Sequence, residues 1–292
     1  MSLCKPTVFT GVATALITPF LNGEIDYTAL EALIENQIAS GVSALLVSGT
    51  TGEGSTLSVR EYHELTAFAK KCINGRLPLL SGCGSNCTSR AVELTQTVCE
   101  GGADAILAVT PYYNKSNDRG ILAHYRAIAD ASTRPLILYN VPSRTGFTLT
   151  LEHCRELSAH PNIVAIKEAS NDLSLTEQIV SELGDRLDVY TGNDNRTVAS
   201  MKLGARGVIS VLSNVLPRAM SELCRFCSTG EWKQAHQKER ALLAQMNALF
   251  CEVNPIPVKY VASRKGLCQL EYRLPLAPPS SHSAKLLQEM FG

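Results

Sequence analysis

The chain is predicted to fold as a (β/α)8 TIM barrel, an α/β architecture, followed by a C-terminal helical extension. Eight short apolar runs recur along the first 215 residues and lack polar alternation, as strands buried on both faces do. Amphipathic stretches of helical length separate most of them, and strand then helix, eight times over, implies a parallel sheet. No glycine-rich phosphate turn follows the first run at Leu16, which favours a closed barrel over a doubly wound sheet.

In chain order the runs are Gly11–Leu16, Ala44–Ser48, Pro78–Ser81, Ala105–Val109, Pro135–Tyr139, Ile163–Lys167, Asp188–Thr191 and Gly207–Val211. After the second run, Ser58-Val59-Arg60-Glu61 reads as a capping box, in which the serine and glutamate side chains satisfy free backbone donors at a helix start. Gly101-Gly102 after Glu100 reads as a helix stop. The barrel is expected to end near Leu212-Ser213-Asn214, giving a catalytic barrel over residues 1–215 and a helical domain over 216–292. Within the latter, Pro217 opens a helix to Ser228, a second is expected from Trp232 to Cys251, and a stretch after Pro255 and Pro257 reaches Lys265. Ala277-Pro278-Pro279-Ser280-Ser281 reads as an exposed connection before a last helix from Ser283 to Phe291.

Hydrophobic residues at 45% and charged residues at 18% describe an ordinary globular composition, and 27 basic against 27 acidic residues give zero formal charge. Such a balance offers no pull toward nucleic acid or an anionic membrane, so the expected partner is a small molecule. Met1-Ser2-Leu3-Cys4-Lys5-Pro6 lacks the basic start and apolar run of a secretory signal, and no window is long and apolar enough to span a bilayer; the expected location is cytoplasmic. Of ten cysteines, Cys83 with Cys87 and Cys224 with Cys227 are the closest pairs, and no histidine sits at ligand spacing. The cysteines read as small buried hydrophobes in a reducing compartment, with the two short pairs as the zinc or redox alternative.

In a barrel of this kind the chemistry lies at the carboxyl ends of the strands. The sixth run ends in Lys167, and burial there would disfavour its ammonium form, leaving an amine that attacks carbonyls. A strand-end lysine that simply reaches solvent is the competing reading. The fifth run ends in Tyr139, and the loop beyond it, Asn140-Val141-Pro142-Ser143-Arg144-Thr145-Gly146, carries a guanidinium able to clamp a carboxylate or to stand as a plain surface charge. After the second run, Gly49-Thr50-Thr51-Gly52-Glu53-Gly54 offers backbone N–H groups and hydroxyls to an anion, or serves only as a glycine loop. Tyr112-Tyr113 after the fourth run suits both a proton relay and interface packing. An amine nucleophile, a phenolic proton shuttle and carboxylate clamps together describe Schiff-base chemistry on a 2-oxo acid.

Three of these segments, Gly49-Thr50-Thr51-Gly52-Glu53, Tyr139 to Gly146 and Ile166-Lys167-Glu168-Ala169, together with Asn254-Pro255-Ile256-Pro257-Val258-Lys259 further on, resemble the dihydrodipicolinate synthase family of pyruvate-dependent class I aldolases, from about Phe9 to the carboxyl end. The resemblance implies that Lys167 forms a Schiff base with pyruvate, without any metal or other cofactor, and that the derived enamine attacks L-aspartate 4-semialdehyde in the route to diaminopimelate and lysine. It implies that Thr50 and Thr51 bind the pyruvate carboxylate, that Tyr139, Thr50 or Thr51, and a Tyr113 from a neighbouring subunit relay protons, and that Arg144 binds the semialdehyde carboxylate. Gly192 and Ile209 match positions that shape the pyruvate pocket, and the implied assembly is a homotetramer built as a dimer of dimers. Arg144 separates this chain from the related N-acetylneuraminate lyases, which carry a different residue after a similar turn.

One departure concerns feedback. Where lysine-inhibited members carry histidines and a glutamate, this chain has Val59, Tyr62 and Arg90, although Asn86 and Tyr112 match. A cation in place of the acid that would hold a lysine ammonium implies weak or absent inhibition by lysine.

Overall fold

The computed structural model describes residues 5–292. Eight parallel strands close into a barrel: β1 (Gly11–Ala15), β2 (Ala44–Val47), β3 (Leu79–Gly82), β4 (Ala105–Val109), β5 (Leu136–Asn140), β6 (Ile163–Glu168), β7 (Asp188–Thr191) and β8 (Gly207–Ser210). Each pairs with its neighbour in sequence, and β8 pairs with β1 to complete the ring. Closure brings Gly11 opposite Gly207, and a Cβ on Gly207 would lie 1.8 Å from the Gly11 carbonyl oxygen, so only glycine fits that seam.

The strands are buried on both faces because two separate packings use them. Val12, Leu45 and Val47 face outward into the layer beneath the helices, whereas Ala13, Ala44, Leu46, Leu107 and Ile209 fill the barrel interior. This double burial is why the runs show no alternation. Phe9 stacks on Tyr190 with ring centroids 4.1 Å apart within the interior cluster, and the Tyr190 hydroxyl donates to the Phe9 carbonyl at 2.8 Å. Lys5 Nζ donates to the carbonyls of Ser158, His160 and Ile163 at 2.6, 2.8 and 2.6 Å, pinning the start of the described chain to the entry of β6.

The helices α1 (Tyr27–Ala39), α2 (Val59–Ile73), α3 (Thr88–Glu100), α4 (Asp118–Ala131), α5 (Pro142–Thr145), α6 (Leu151–Leu157), α7 (Leu173–Leu183) and α8 (Thr197–Lys202) lie between the strands. The Ser58 capping box on α2 forms in both directions, and Gly101 caps α3. The annex consists of α9 (Pro217–Ser228), α10 (Trp232–Ala248), α11 (Ile256–Arg264) and α12 (Ser281–Phe291).

Several details differ from the sequence-based expectation. A two-stranded antiparallel hairpin, Phe20–Leu21 with Glu24–Ile25, precedes α1 and is too short to leave a periodic signal. Helix α10 stops three residues before Cys251, and α12 starts at Ser281 because Ser280 accepts from the backbone N–H of Ser283 as its cap. The cysteine reading holds for Cys83, Cys154, Cys224 and Cys227, which are buried, but Cys87 and Cys251 are exposed and Cys72, Cys99 and Cys268 half-buried; Cys4 lies outside the described residues. Among the described residues, no cluster of three or more potential metal ligands occurs, and no helix is long and apolar enough to cross a membrane.

Candidate active site

A cavity of about 830 Å³ opens at the carboxyl ends of the strands. Thr50, Thr51, Tyr139, Arg144, Lys167 and Gly192 all line it, so six of the eight candidate residues come together. Ile209 is fully buried among the interior side chains of the barrel and does not line the cavity. Tyr113 stands apart, 92% exposed, at a positive φ of 68° on the loop beyond β4.

Lys167 sits at the tip of β6, directly opposite Tyr139 on β5 and Tyr190 on β7. Its side chain is only 6% exposed, and its Nζ lies 4.4 Å from the centre of the Tyr139 ring. Burial pushes the Lys167 ammonium down to about 8, with the Arg144 charge acting in the same direction and the Asp194 charge opposing both. At pH 7 roughly one Lys167 in ten is then a neutral amine, against about one in three thousand for an ordinary lysine. Gly192, at the end of β7, makes room for it: a Cβ there would lie 2.8 Å from Lys167 Cε and 2.7 Å from Ala169 Cβ.

Burial likewise raises the Tyr139 phenol, while Arg144 and a hydrogen bond with Thr50 hold it down. The strand tips that carry the amine and the phenol are tied together one residue further on. Asn140 Nδ2 donates to buried Glu168 at 2.7 Å, and the other Glu168 oxygen accepts from the Ser170 backbone. Asn140 in turn accepts from the Leu149 backbone at 2.9 Å, so the pair Tyr139 and Lys167 rests on a fully bonded layer.

Arg144 lies on the short helix α5, started by Pro142 and ended by Gly146 in the left-handed region. The guanidinium donates to the carbonyl of Asn254 at 3.0 Å, and Asn254 Nδ2 donates to Thr51 Oγ1 at 3.0 Å. Below that contact, Glu53 and Lys259 form an ion pair at 2.5 Å that is shielded completely from solvent. At the feedback positions, the Tyr62 hydroxyl donates to the Gly54 carbonyl at 2.9 Å, and Arg90 pairs with Glu93 at 2.7 Å.

The comparison with known proteins decides the lineage: the model of the dihydrodipicolinate synthetase family matches residues 8–291. The chain belongs to the dihydrodipicolinate synthetase family. Within it, the chain is 47% identical over 97% of its length, and 97% of the relative's, to a 4-hydroxy-tetrahydrodipicolinate synthase from Exiguobacterium sp. strain AT1b. The solved dihydrodipicolinate synthase of Aquifex aeolicus superposes with a TM-score of 0.94 at 42% identity, covering 96% of both chains. The chloride-inhibited dihydrodipicolinate synthase of Acinetobacter baumannii, solved with pyruvate, superposes with a TM-score of 0.95 at 41% identity over 97% of this chain and 98% of that one.

One residue of this family member's site, Asp194, escapes sequence reasoning, and a second, Asn254, is read there as part of a motif without its contact. Asp194 is 2% exposed and lines the cavity; its Oδ2 accepts from the backbone N–H of Val211 and Leu212 at 3.0 and 2.8 Å, whereas Oδ1 makes no hydrogen bond among the described residues. Burial raises its carboxyl, and hydrogen bonds from Ser210 and from the Leu212 and Val211 backbone, with a smaller part from the Lys167 charge, work against that rise. Asn254 enters from the annex. A buried aspartate three residues past a strand run is a faint signal, and nothing local to Asn254 announces a contact with a residue 203 positions away.

Proposed function

We propose that this chain is a 4-hydroxy-tetrahydrodipicolinate synthase, which condenses pyruvate with L-aspartate 4-semialdehyde through a Schiff base on Lys167. One observation carries the reading: a buried lysine of depressed basicity faces a buried tyrosine at the floor of the cavity. The neutral amine adds to the pyruvate carbonyl and water leaves, giving an iminium. Loss of a methyl proton converts it to an enamine whose carbon attacks the aldehyde, and the amino nitrogen of the semialdehyde then displaces Lys167 as the ring closes.

Thr50 and Thr51 hold the pyruvate carboxylate, Tyr139 moves protons at the Schiff base, and Arg144 binds the semialdehyde carboxylate. Gly192 leaves the space that Lys167 occupies, and Ile209 supports the pocket from within the barrel. The amine belongs to the protein, so the reaction as drawn asks for no metal and no added cofactor. Tyr113 completes the relay of a neighbouring subunit, in a homotetramer arranged as a dimer of dimers; its 92% exposure supports that reading, since the side chain has no packing role in its own subunit. The barrel, 1–215, supplies the chemistry and the helical domain, 216–292, closes the mouth. The product feeds diaminopimelate and lysine synthesis in the cytoplasm, with no nucleic-acid or membrane partner.

The direct test is reduction with borohydride in the presence of pyruvate, followed by mass spectrometry. A pyruvate-derived adduct confined to Lys167 and absent from Lys167→Ala is expected, with turnover of L-aspartate 4-semialdehyde and none of N-acetylneuraminate. An unmodified Lys167 would sink the proposal.

A further inference from the structure

The annex segment from Asn254 to Lys259 meets the barrel's loops at three points, two of them at the cavity and the third buried beside it. Asn254 bonds Thr51 through its side chain and Arg144 through its carbonyl, and Lys259 Nζ donates to Glu53 Oε1. In place of water, the Lys259 ammonium has the ring faces of Phe20 and Tyr272, with centroids at 4.1 and 5.3 Å. The second Glu53 oxygen accepts from the Arg273 backbone at 3.1 Å. A buried ion pair adds little net stability over an apolar pair of similar volume, because desolvation offsets the attraction; what it supplies is a single geometry. Glu53 itself sits at a φ of 55°, a left-handed conformation that a residue other than glycine keeps only where its surroundings impose it.

We propose that Glu53, Lys259 and Asn254 are positioning residues, which lock the Gly49–Gly54 loop to the annex segment that also holds Arg144. Thr51 and Arg144 are thereby kept at one separation around the two substrates. This role depends on the reading of Thr51 and Arg144 as the carboxylate-binding groups, and it makes the helical domain part of the binding site.

The decisive variant is the double replacement Glu53→Gln/Lys259→Met, which removes both charges at nearly constant volume. The expected result is a folded protein melting close to the wild type. Its pyruvate requirement for half-maximal borohydride trapping, and its KM for the semialdehyde, should each rise about tenfold while kcat changes much less. Asn254→Ala, which leaves the ion pair intact and cuts the bond to Thr51, serves as the second arm and should raise the pyruvate requirement in the same way. Unchanged trapping and KM in either folded variant would overturn the role of the residues replaced. A wild-type chain that traps no pyruvate at all would instead remove the underlying reading of the site, and the bracket with it.

Discussion

Burying the Lys167 ammonium costs the fold about 3 kcal/mol at neutral pH, since its pKa falls from 10.5 to about 8 and each unit is worth about 1.4 kcal/mol. The cost is present in full below pH 8, where the unfolded and folded forms are both charged, and it fades as pH rises toward 10.5. Lys167→Met should therefore melt several degrees above the wild type at pH 7 and lose that advantage near pH 10.5, as calorimetry across the range will show. The same shift sets the pH dependence of the chemistry: the rate of trapping at low pyruvate should climb about tenfold per unit from pH 6 and level off above about 8. Gly192→Ala forces a methyl against both Lys167 Cε and Ala169 Cβ, so kcat/KM should drop by at least about tenfold and the melting temperature should fall as well. Lys167 and Tyr139 were legible because a polar residue at the tip of an apolar run has no packing reason to be there. Asp194 was not, because neither its burial nor its place beside the Lys167 charge shows until the chain is folded.

Among the elements, the eight strands could be read to within a residue or so at each end, and the Ser58 and Gly101 caps as well, since periodicity and capping chemistry are local. The hairpin at Phe20–Leu21 and the end of α10 could not, because two-residue strands and frayed helix ends carry too few positions to show a pattern. The loops that carry the candidate residues were legible as compositions but not as contacts: Arg144 reads in sequence as a clamp or a plain surface charge, yet in the fold it is bonded to Asn254. At the start of α2 and α3, Tyr62 is committed to Gly54 and Arg90 to Glu93, which leaves no acidic group at position 90 for an incoming ammonium. Steady-state assays with added lysine should show weak or no inhibition; strong inhibition below millimolar concentration would show that another acid takes over the role.

For the molecule as a whole, Tyr113 is the informative residue, since an aromatic ring almost wholly in solvent at a strained backbone angle stabilises nothing in its own subunit. If it completes a neighbour's relay, two inactive variants should repair each other. Lys167→Ala chains keep a good Tyr113 and Tyr113→Phe chains keep a good Lys167, so mixed dimers hold one complete site. Unfolding and refolding an equal mixture should recover about a quarter of wild-type activity from two nearly dead preparations. A mixture no more active than its components would place Tyr113 outside the relay.

The bonds from Thr51 to Asn254 and from Glu53 to Lys259 span more than 200 residues, and a ribosome makes the chain from its amino end. All eight strands exist once Ser210 has been added, but the mouth of the barrel stays without its bracket for almost fifty residues more. A nascent chain thus carries all eight strand segments and Lys167 well before it has the residues that bond Thr51 and Glu53. On the bracket proposed above, a competent site is a late event, timed by the emergence of α11 from the exit tunnel, and a chain cut short before that point would lack the means to direct a substrate.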